Sequence, residues 1–363
     1  MQENNMNYPK FKVCVRCFTF NQAKYITDAL NGFTMQQTDF PFVCCIVDDA
    51  STDGEQQVIM EYVQEHFDMS DASVSYRKET DYADITYAQH KANKNCYFAV
   101  LLLKENHYSQ RKDKMPYLSE WRDNTEYEAL CEGDDYWIHP KKLQMQVDFL
   151  EANPEYTISH TSVNYFYEYV NKLIYYRDVE TNTPLNQNGI VPLESILSAD
   201  YRVQTLSVVF RRVAYIRLIE MDPFLYQGGY FMMGDTQLWF GLAMLGKVHF
   251  LKEVTGIYRR NPNSFSNQIE LKKRNRFSLS SAEMRYYISL HYNIDEKVKK
   301  QFRQNYEKRL IVYCVNDPNF VPKFPIGIRY KVIKSIIYTF ENYMFAVLQK
   351  MFARYKKMYQ KRI

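Results

Sequence analysis

The chain has 363 residues, 46% of them hydrophobic and 24% charged, with a formal net charge of +4. That length suits one large domain with an extension or two modest domains. The charge balance is too weakly basic for a nucleic-acid-binding protein, and no apolar run approaches the roughly 18 residues of a membrane-spanning helix. With 32 Tyr and 23 Phe, aromatics reach 16%, more than packing requires, so aromatic-lined sugar or base sites are an expectation.

In chain order, "MQENNMNYPK" (1–10) is a polar tail without the apolar core of a secretion signal, which places the chain in the cytoplasm. "KVCVRCF" (12–18) reads as a strand, and "AKYITDALNGFTMQ" (23–36) as a helix with Ile26, Leu30 and Phe33 on one face. "FVCCIVDDAS" (42–51) is a second strand and "GEQQVIMEYVQEHF" (54–67) a second helix. This β-α-β-α alternation predicts an α/β fold, a mostly parallel sheet with helices on its faces, in which ligands bind beyond the carboxyl ends of the strands. The polar segment 104–126 reads as an irregular surface excursion. After "EALCEGDDYW", Pro140 suits a first helical turn, and Leu143, Val147 and Leu150 form one apolar face. "YTISHTSVNYF" and "VQTLSVVFRR" resume the sheet. From about residue 270 the pattern becomes helical. Near the end, Ile333, Ile336, Phe340, Met344, Val347, Met351 and Tyr355 make an apolar stripe beside Lys350, Arg354, Lys356, Lys357, Lys361 and Arg362.

The seven cysteines, at 14, 17, 44, 45, 96, 131 and 314, are odd in number and scattered through apolar runs, as reduced thiols are. Cys14 and Cys17 spell C-x-x-C inside a strand, with neither a helix N-terminus to lower a thiol pKa nor a second pair to complete a zinc site. "GLAMLGKV" (241–248) lacks the Ser or Thr that ends a phosphate-binding P-loop and reads as a helix end; no G-x-G-x-x-G follows the first strand. His107 and His139 are polar loop residues rather than ligands.

Chemistry concentrates at two strand ends. Glu132, Asp134 and Asp135 place three carboxylates in four positions. Such crowding calls for a compensating positive charge, and Mg²⁺ or Mn²⁺, which takes oxygen ligands and shares its sphere with a diphosphate, is the compact choice. A solvated acidic turn capping the next helix is the alternative. Asp48 and Asp49 end the second strand, and Ser51 and Asp53 follow in a turn suited to ribose and base donors, or to capping the helix that starts near Gly54.

Together, "CFTFNQAKYITDAL", "IVDDASTDG" and "LCEGDDYWIHPKKLQMQVDFLEANPEY" resemble a family 2 glycosyltransferase of the GT-A fold, of the bacterial surface-polysaccharide type. The resemblance spans about residues 11 to 266, so the chain divides into a tail (1–10), a GT-A domain (11–266) and a helical C-terminal extension (267–363). It implies nucleotide contacts from Thr19 and Asn21, uracil and ribose held by Asp48 and Asp49, and a D-x-D motif at Glu132-Gly133-Asp134. There Asp134 is the leading metal ligand with Asp135 beside it, and Glu132 departs from the family pattern. It also implies an acidic general base at Asp235, whose structural alternative is the N-cap of "TQLWFGLAML". In "YRRNPNSFS", Tyr258 and Arg259 match a loop that closes over the diphosphate, Arg259 being the candidate for the phosphates or else a surface arginine. Asn261 stands where many relatives have His.

The implied activity is metal-dependent, inverting transfer of a sugar from a nucleotide-diphosphate donor, a UDP-sugar, to a hydroxyl of a glycan or lipid-linked saccharide. A non-catalytic sugar-nucleotide-binding or scaffold protein of the same fold is the alternative, disfavoured by Asp134 and Asp235. A nucleotidyltransferase lacks its Gly-rich basic turn. The basic C-terminal stripe reads first as a packed helix with a solvated basic end; docking on the domain, self-association and peripheral contact with an anionic membrane at its cytoplasmic face are the further readings.

Overall fold

The structure, a computed structural model, describes residues 8–175, 177–260, 271–317 and 320–324. The chain falls into two units, Met1–Tyr230 with Gly234–Ser264, and Phe231–Met233 with Phe265–Ile363.

In the first unit the apolar runs Val13–Thr19 (β1) and Phe42–Asp48 (β2) are covered on both faces, which explains why they read as unbroken hydrophobic stretches rather than alternating ones. Tyr76–Glu79 (β3), Ala83–Gln89 (β4), Cys96–Leu103 (β5), Tyr127–Leu130 (β6), Tyr136–Trp137 (β7), Tyr156–Tyr167 (β8), Lys172–Ile174 (β9), Val209–Arg211 (β10) and Lys247–Arg260 (β11) complete the sheet among the described residues. Its order is β3-β4-β5-β2-β1-β6-β10-β8-β11-β7, with β9 on β8. The block β5-β2-β1-β6 is parallel, as expected, and β8 with β11 is parallel too. Thr19 lies opposite Asp48, and the Cys131 N–H donates to the Arg16 carbonyl, so the carboxyl ends of β1, β2 and β6 meet at one edge.

Helix α1 (Ile26–Thr34) buries Ile26, Ala29, Leu30 and Phe33 against this sheet, and helix α2 (Glu55–His66) buries Ile59, Tyr62 and Val63. Helix α1 begins three residues later than its periodicity suggests, because the Tyr25 and Ile26 N–H groups close a turn on the Gln22 carbonyl. The helix Lys142–Ala152 buries the predicted Leu143, Val147 and Leu150, with Pro140 ahead of its first turn. "GLAMLGKV" is a helix end and strand start, as read.

Three expectations change. "VQTLSVVFRR" is not a full strand: residues Thr205–Ser207 turn in a 3-10 helix, where the Leu206 carbonyl accepts the Trp137 indole N–H at 2.7 Å, and only β10 pairs, antiparallel to β6 and β8. Segment 104–126 returns to the core, with Leu118 and Trp121 buried, because Arg122 reaches the buried Glu128 at 2.8 Å. Tyr258 and Arg259 end a strand, β11, rather than lying in a loop; Asn261 and the rest of that motif fall outside the described residues.

The second unit contains the helices Leu271–His291 and Glu296–Asn316. They pack through Leu279, Ala282, Tyr286, Tyr306, Leu310 and Tyr313, with Tyr286 stacked on Tyr306 at 5.2 Å. Asp295 caps the second helix by accepting from the Lys297 and Val298 N–H groups. The apolar stripe from Ile333 and the basic residues from Lys350 lie outside the described residues. Among the described residues no helix is long and apolar enough to cross a membrane.

Candidate active site

All seven cysteines are buried, and Cys14, Cys17, Cys44, Cys45, Cys96 and Cys131 are free thiols. Burial pushes those of Cys17 and Cys131 well up, away from the thiolate that redox or metal chemistry needs. Among the described residues, the grouping able to hold a metal is instead Glu132, Asp134 and Asp135, whose ligand oxygens all lie within 4.8 Å of one another.

This tip follows β6. Its turn closes with the Asp135 N–H donating to the Glu132 carbonyl, and it sits directly on the loop after β1. A Cβ added at Gly133 would collide with the Thr19 hydroxyl and lie 2.5 Å from Gln22 Oε1, so glycine is required there by close approach. Burial pushes the carboxyls of Asp134 and Asp135 up; the charge of Asp134 adds to the rise at Asp135, while Arg259 holds both back. Glu132 is pushed up to about 7, first by the protein crowding around it, then by Asp134 and by Asp235. Its side chain nevertheless stays in contact with water, so it remains open to a ligand. These shifts describe three carboxylates whose charges are under-compensated, the condition a divalent cation relieves. The all-oxygen donor set fits Mg²⁺ or Mn²⁺.

Arg259 is the guanidinium at this tip, and it is not a surface residue: its side chain is 7% exposed. Its backbone N–H donates to Asp135 Oδ1 at 2.8 Å, Nη1 to the Asp134 carbonyl at 3.1 Å, and Nη2 to Asp28 Oδ2 at 2.7 Å. The guanidinium packs between the rings of Tyr25 and Tyr136, at 4.6 and 5.0 Å. Tyr258, next to it on β11, has its hydroxyl pushed up to about 12 by burial and by the charge of Asp135.

The loops after β1 and β2 interlock. Asp48 is fully buried; its Oδ1 accepts from Ser51 N–H at 3.0 Å and from Gln56, and its Oδ2 is buried without a partner among the described residues. Asp49 is 1% exposed. Its carboxylate accepts from the His107 and Tyr108 N–H groups at 2.8 and 3.0 Å and pairs with Lys114 at 3.1 Å, which fastens segment 104–126 to the end of β2. His107 is therefore buried in that anchor, its ring bonded to the Glu105 carbonyl and the Tyr117 hydroxyl. Asn21 occupies left-handed backbone (φ 54°), which Asn tolerates, and accepts the Thr52 N–H at 2.8 Å. Thr19 donates to Glu55.

Asp235 is exposed and opens the helix Asp235–Leu245 at its first position. The N-cap is Gly234, without a side-chain bond; Asp235 Oδ1 accepts from its neighbour Thr236, from the N–H at 2.6 Å and from the hydroxyl at 3.4 Å. The capping alternative thus does not describe it. Its charge adds to the rise at Glu132, after burial and Asp134.

Asp28, Tyr25, Gln22, Glu55 and Lys114 belong to this constellation and were not singled out in the sequence. Asp28 pairs across 231 positions, and no local pattern announces such a partner. Glu55, four residues after Ser51, reads simply as a first-turn acid. A depression of about 630 Å³ lined by Thr34, Gln36, Asp39, His90 and Gln144 opens beside the residues that precede β2, away from the carboxyl ends.

No family model matches the chain. Two curated relatives, Uncharacterized protein Mb1547 of Mycobacterium bovis and Uncharacterized protein Rv1520 of Mycobacterium tuberculosis, are each 30% identical over 243 residues, 67% of this chain. The chain spans 57% of the length of these relatives. Among solved structures, S. aureus TarS 1-349 in complex with UDP is similar at 16% identity, over 84% of this chain and 72% of that one, with a TM-score of 0.43. Mannosyltransferase PcManGT from Pyrobaculum calidifontis in complex with GDP-Man and Mn²⁺ is similar at 13% identity, over 92% and 81%, with a TM-score of 0.49. Both scores fall below 0.5, so the superpositions carry no weight for function.

Proposed function

We propose that this chain is a glycosyltransferase of the GT-A type, moving a sugar from a nucleotide-diphosphate donor, a UDP-sugar, onto a hydroxyl of a glycan or lipid-linked saccharide, with inversion. The observation that carries the reading is the convergence of Glu132, Asp134 and Asp135 within 4.8 Å, at the edge where the loops of β1 and β2 also end, with the Asp235 charge felt at Glu132. The motif resemblance supports it independently.

In this reading Glu132 and Asp134 present oxygens to Mn²⁺ or Mg²⁺, and Asp135, partly engaged by the Arg259 N–H, orients the turn. When bound, the ion supplies the charge that offsets the growing negative charge of the departing diphosphate. Asp48, fully buried and with its Oδ2 unpartnered among the described residues, accepts from base or ribose once the loop after β2 yields, and Thr19 and Asn21 shape the loop beside it. Asp49 acts one step removed, holding segment 104–126 against the nucleotide edge. Arg259 fixes the tip through its main chain and places positive charge near the phosphates. Asp235, exposed and acidic, takes the acceptor hydroxyl's proton as that oxygen attacks the anomeric carbon. A cytoplasmic setting in surface-polysaccharide assembly belongs to the same reading.

One observation favours nucleotide binding without turnover: the Arg259 guanidinium is already held by Asp28. The two readings separate in a donor screen by thermal shift and slow hydrolysis with UDP-, GDP- and dTDP-sugars, with and without Mn²⁺. Asp134→Asn is expected to lose metal-linked donor binding, and Asp235→Asn to bind donor without transfer. Variants that both behave as wild type would overturn the site assignment.

A further inference from the structure

We propose that Glu55 is a positioning residue that couples the nucleotide edge to the acidic tip. The inference rests on the function proposed above and extends it to a side chain that touches neither nucleotide nor metal. Glu55 opens α2 and is fully buried, yet it is an acid. Its carboxylate is the junction of two loops. Oε1 accepts from the Thr19 hydroxyl at the end of β1, and Oε2 accepts from the Gln22 N–H at 2.8 Å and from the Ser51 hydroxyl, in the loop after β2, at 2.9 Å. The same two loops are cross-linked a second time around it: the Asn21 N–H donates to Ser51 at 2.8 Å, and the Ala23 N–H to Asp53 at 2.9 Å. The residues Glu55 holds, Thr19 and Gln22, form the surface on which Gly133 of the tip rests without room for a Cβ. A continuous packed path therefore runs from the β2 loop through Glu55 to the Glu132–Asp134 turn.

Three donors converging on two oxygens satisfy a buried carboxylate, so it stays in place despite the burial that raises its pKa. Remove it, and the Gln22 N–H and the Ser51 hydroxyl lose their acceptor together, while the Thr19 hydroxyl turns to Gln22 Oε1, 2.8 Å away. The loops then gain freedom at the point where they support the tip. Partners that orient metal ligands from behind typically carry about 10- to 100-fold in affinity. Coupling between two ligands is reciprocal, so the same factor appears in the effect of metal on nucleotide and of nucleotide on metal.

The test is calorimetric titration of the full chain with UDP or GDP, without metal and in saturating Mn²⁺, and with Mn²⁺ alone. It is applied to wild type, Glu55→Gln, Glu55→Ala and Ser51→Ala, well below each variant's Tm. In Glu55→Ala the enhancement of nucleotide affinity by Mn²⁺ is expected to shrink by about tenfold or more. Glu55→Gln, which keeps one acceptor oxygen, restores most of it, and Ser51→Ala falls between. Unchanged enhancement in a folded Glu55→Ala overturns the proposal. Should Glu55→Ala not fold, Ser51→Ala decides: enhancement equal to wild type overturns the proposal, and a partial loss upholds it. A wild type that binds neither nucleotide with Mn²⁺ overturns the functional reading itself, whereas binding with intact coupling in every variant overturns only the role of Glu55.

Discussion

Four residues apart on one strand and its end, Glu128 and Glu132 meet opposite fates. Glu128 is fully buried and surrounded by guanidinium: Arg16 at 2.8 Å, Arg122 at 2.8 Å and Arg212 at 3.8 Å. Arg16 and Arg122 also pack over the Tyr215 ring, at 5.5 and 5.3 Å. At the tip the ratio is reversed among the described residues, with three carboxylates and one guanidinium, that of Arg259, which is shared with Asp28. A carboxylate saturated by cations ties elements together; carboxylates left short of cations wait for one.

The largest effect expected from this contrast is catalytic. Asp235→Asn should lower sugar transfer by about 10²- to 10⁴-fold, the range of a lost general base, with nucleotide affinity unchanged. Steady-state transfer set beside calorimetric binding checks it, and a transfer rate within threefold of wild type removes Asp235 from the chemistry.

Next comes the hub. Glu128→Gln should cost about 3–5 kcal/mol, because it leaves buried guanidinium groups without their counter-charge. Chemical denaturation measures this, and a loss under about 1 kcal/mol would place Glu128 with ordinary surface ion pairs and erase the contrast.

Lys142 sharpens the comparison as a buried cation with no carboxylate within ion-pair distance among the described residues. Its Nζ donates to Gln146 at 2.8 Å and sits 4.5 Å from the Trp137 ring. Burial pushes its pKa down to about 7. The unfolded chain therefore binds more protons than the folded one between about pH 7 and the ordinary lysine value near 10.4. The destabilisation is fully present below that window and fades as pH rises through it. Lys142→Met should stabilise by about 1–3 kcal/mol at pH 6, with the gain shrinking toward pH 10. A gain independent of pH would show that the amine is not titrating in the fold.

The smallest effect belongs to the tip itself. Asp134→Asn should raise the stability of the ligand-free protein by about 0.5–2 kcal/mol by relieving like-charge crowding, the usual exchange of stability for function. A destabilised Asp134→Asn would mean that the tip is structural, like the hub.

Much of the architecture was legible because it is periodic. β1, β2, α1 and α2 announce themselves by apolar spacing, and in a parallel block the carboxyl ends of neighbouring strands must fall on one edge. Sequence also singled out the acidic tip, since three carboxylates in four positions have few physical explanations. It misjudged what was decided elsewhere. Segment 104–126 looked like solvent-exposed polar chain until Asp49 and Glu128 are seen to hold its ends. "VQTLSVVFRR" looked like a strand until an indole claims one of its carbonyls.

Local sequence thus determined the elements, their direction and the positions of acid at strand ends, because spacing along a chain is preserved when it folds. Which of those acids stay short of a counter-charge was settled only in three dimensions. Asp49 is taken up by Lys114 and two main-chain N–H groups, Glu128 by arginines from other elements, and Asp28 by an arginine 231 positions away. Ion pairing and burial depend on distance through space, and that distance bears no fixed relation to separation in sequence.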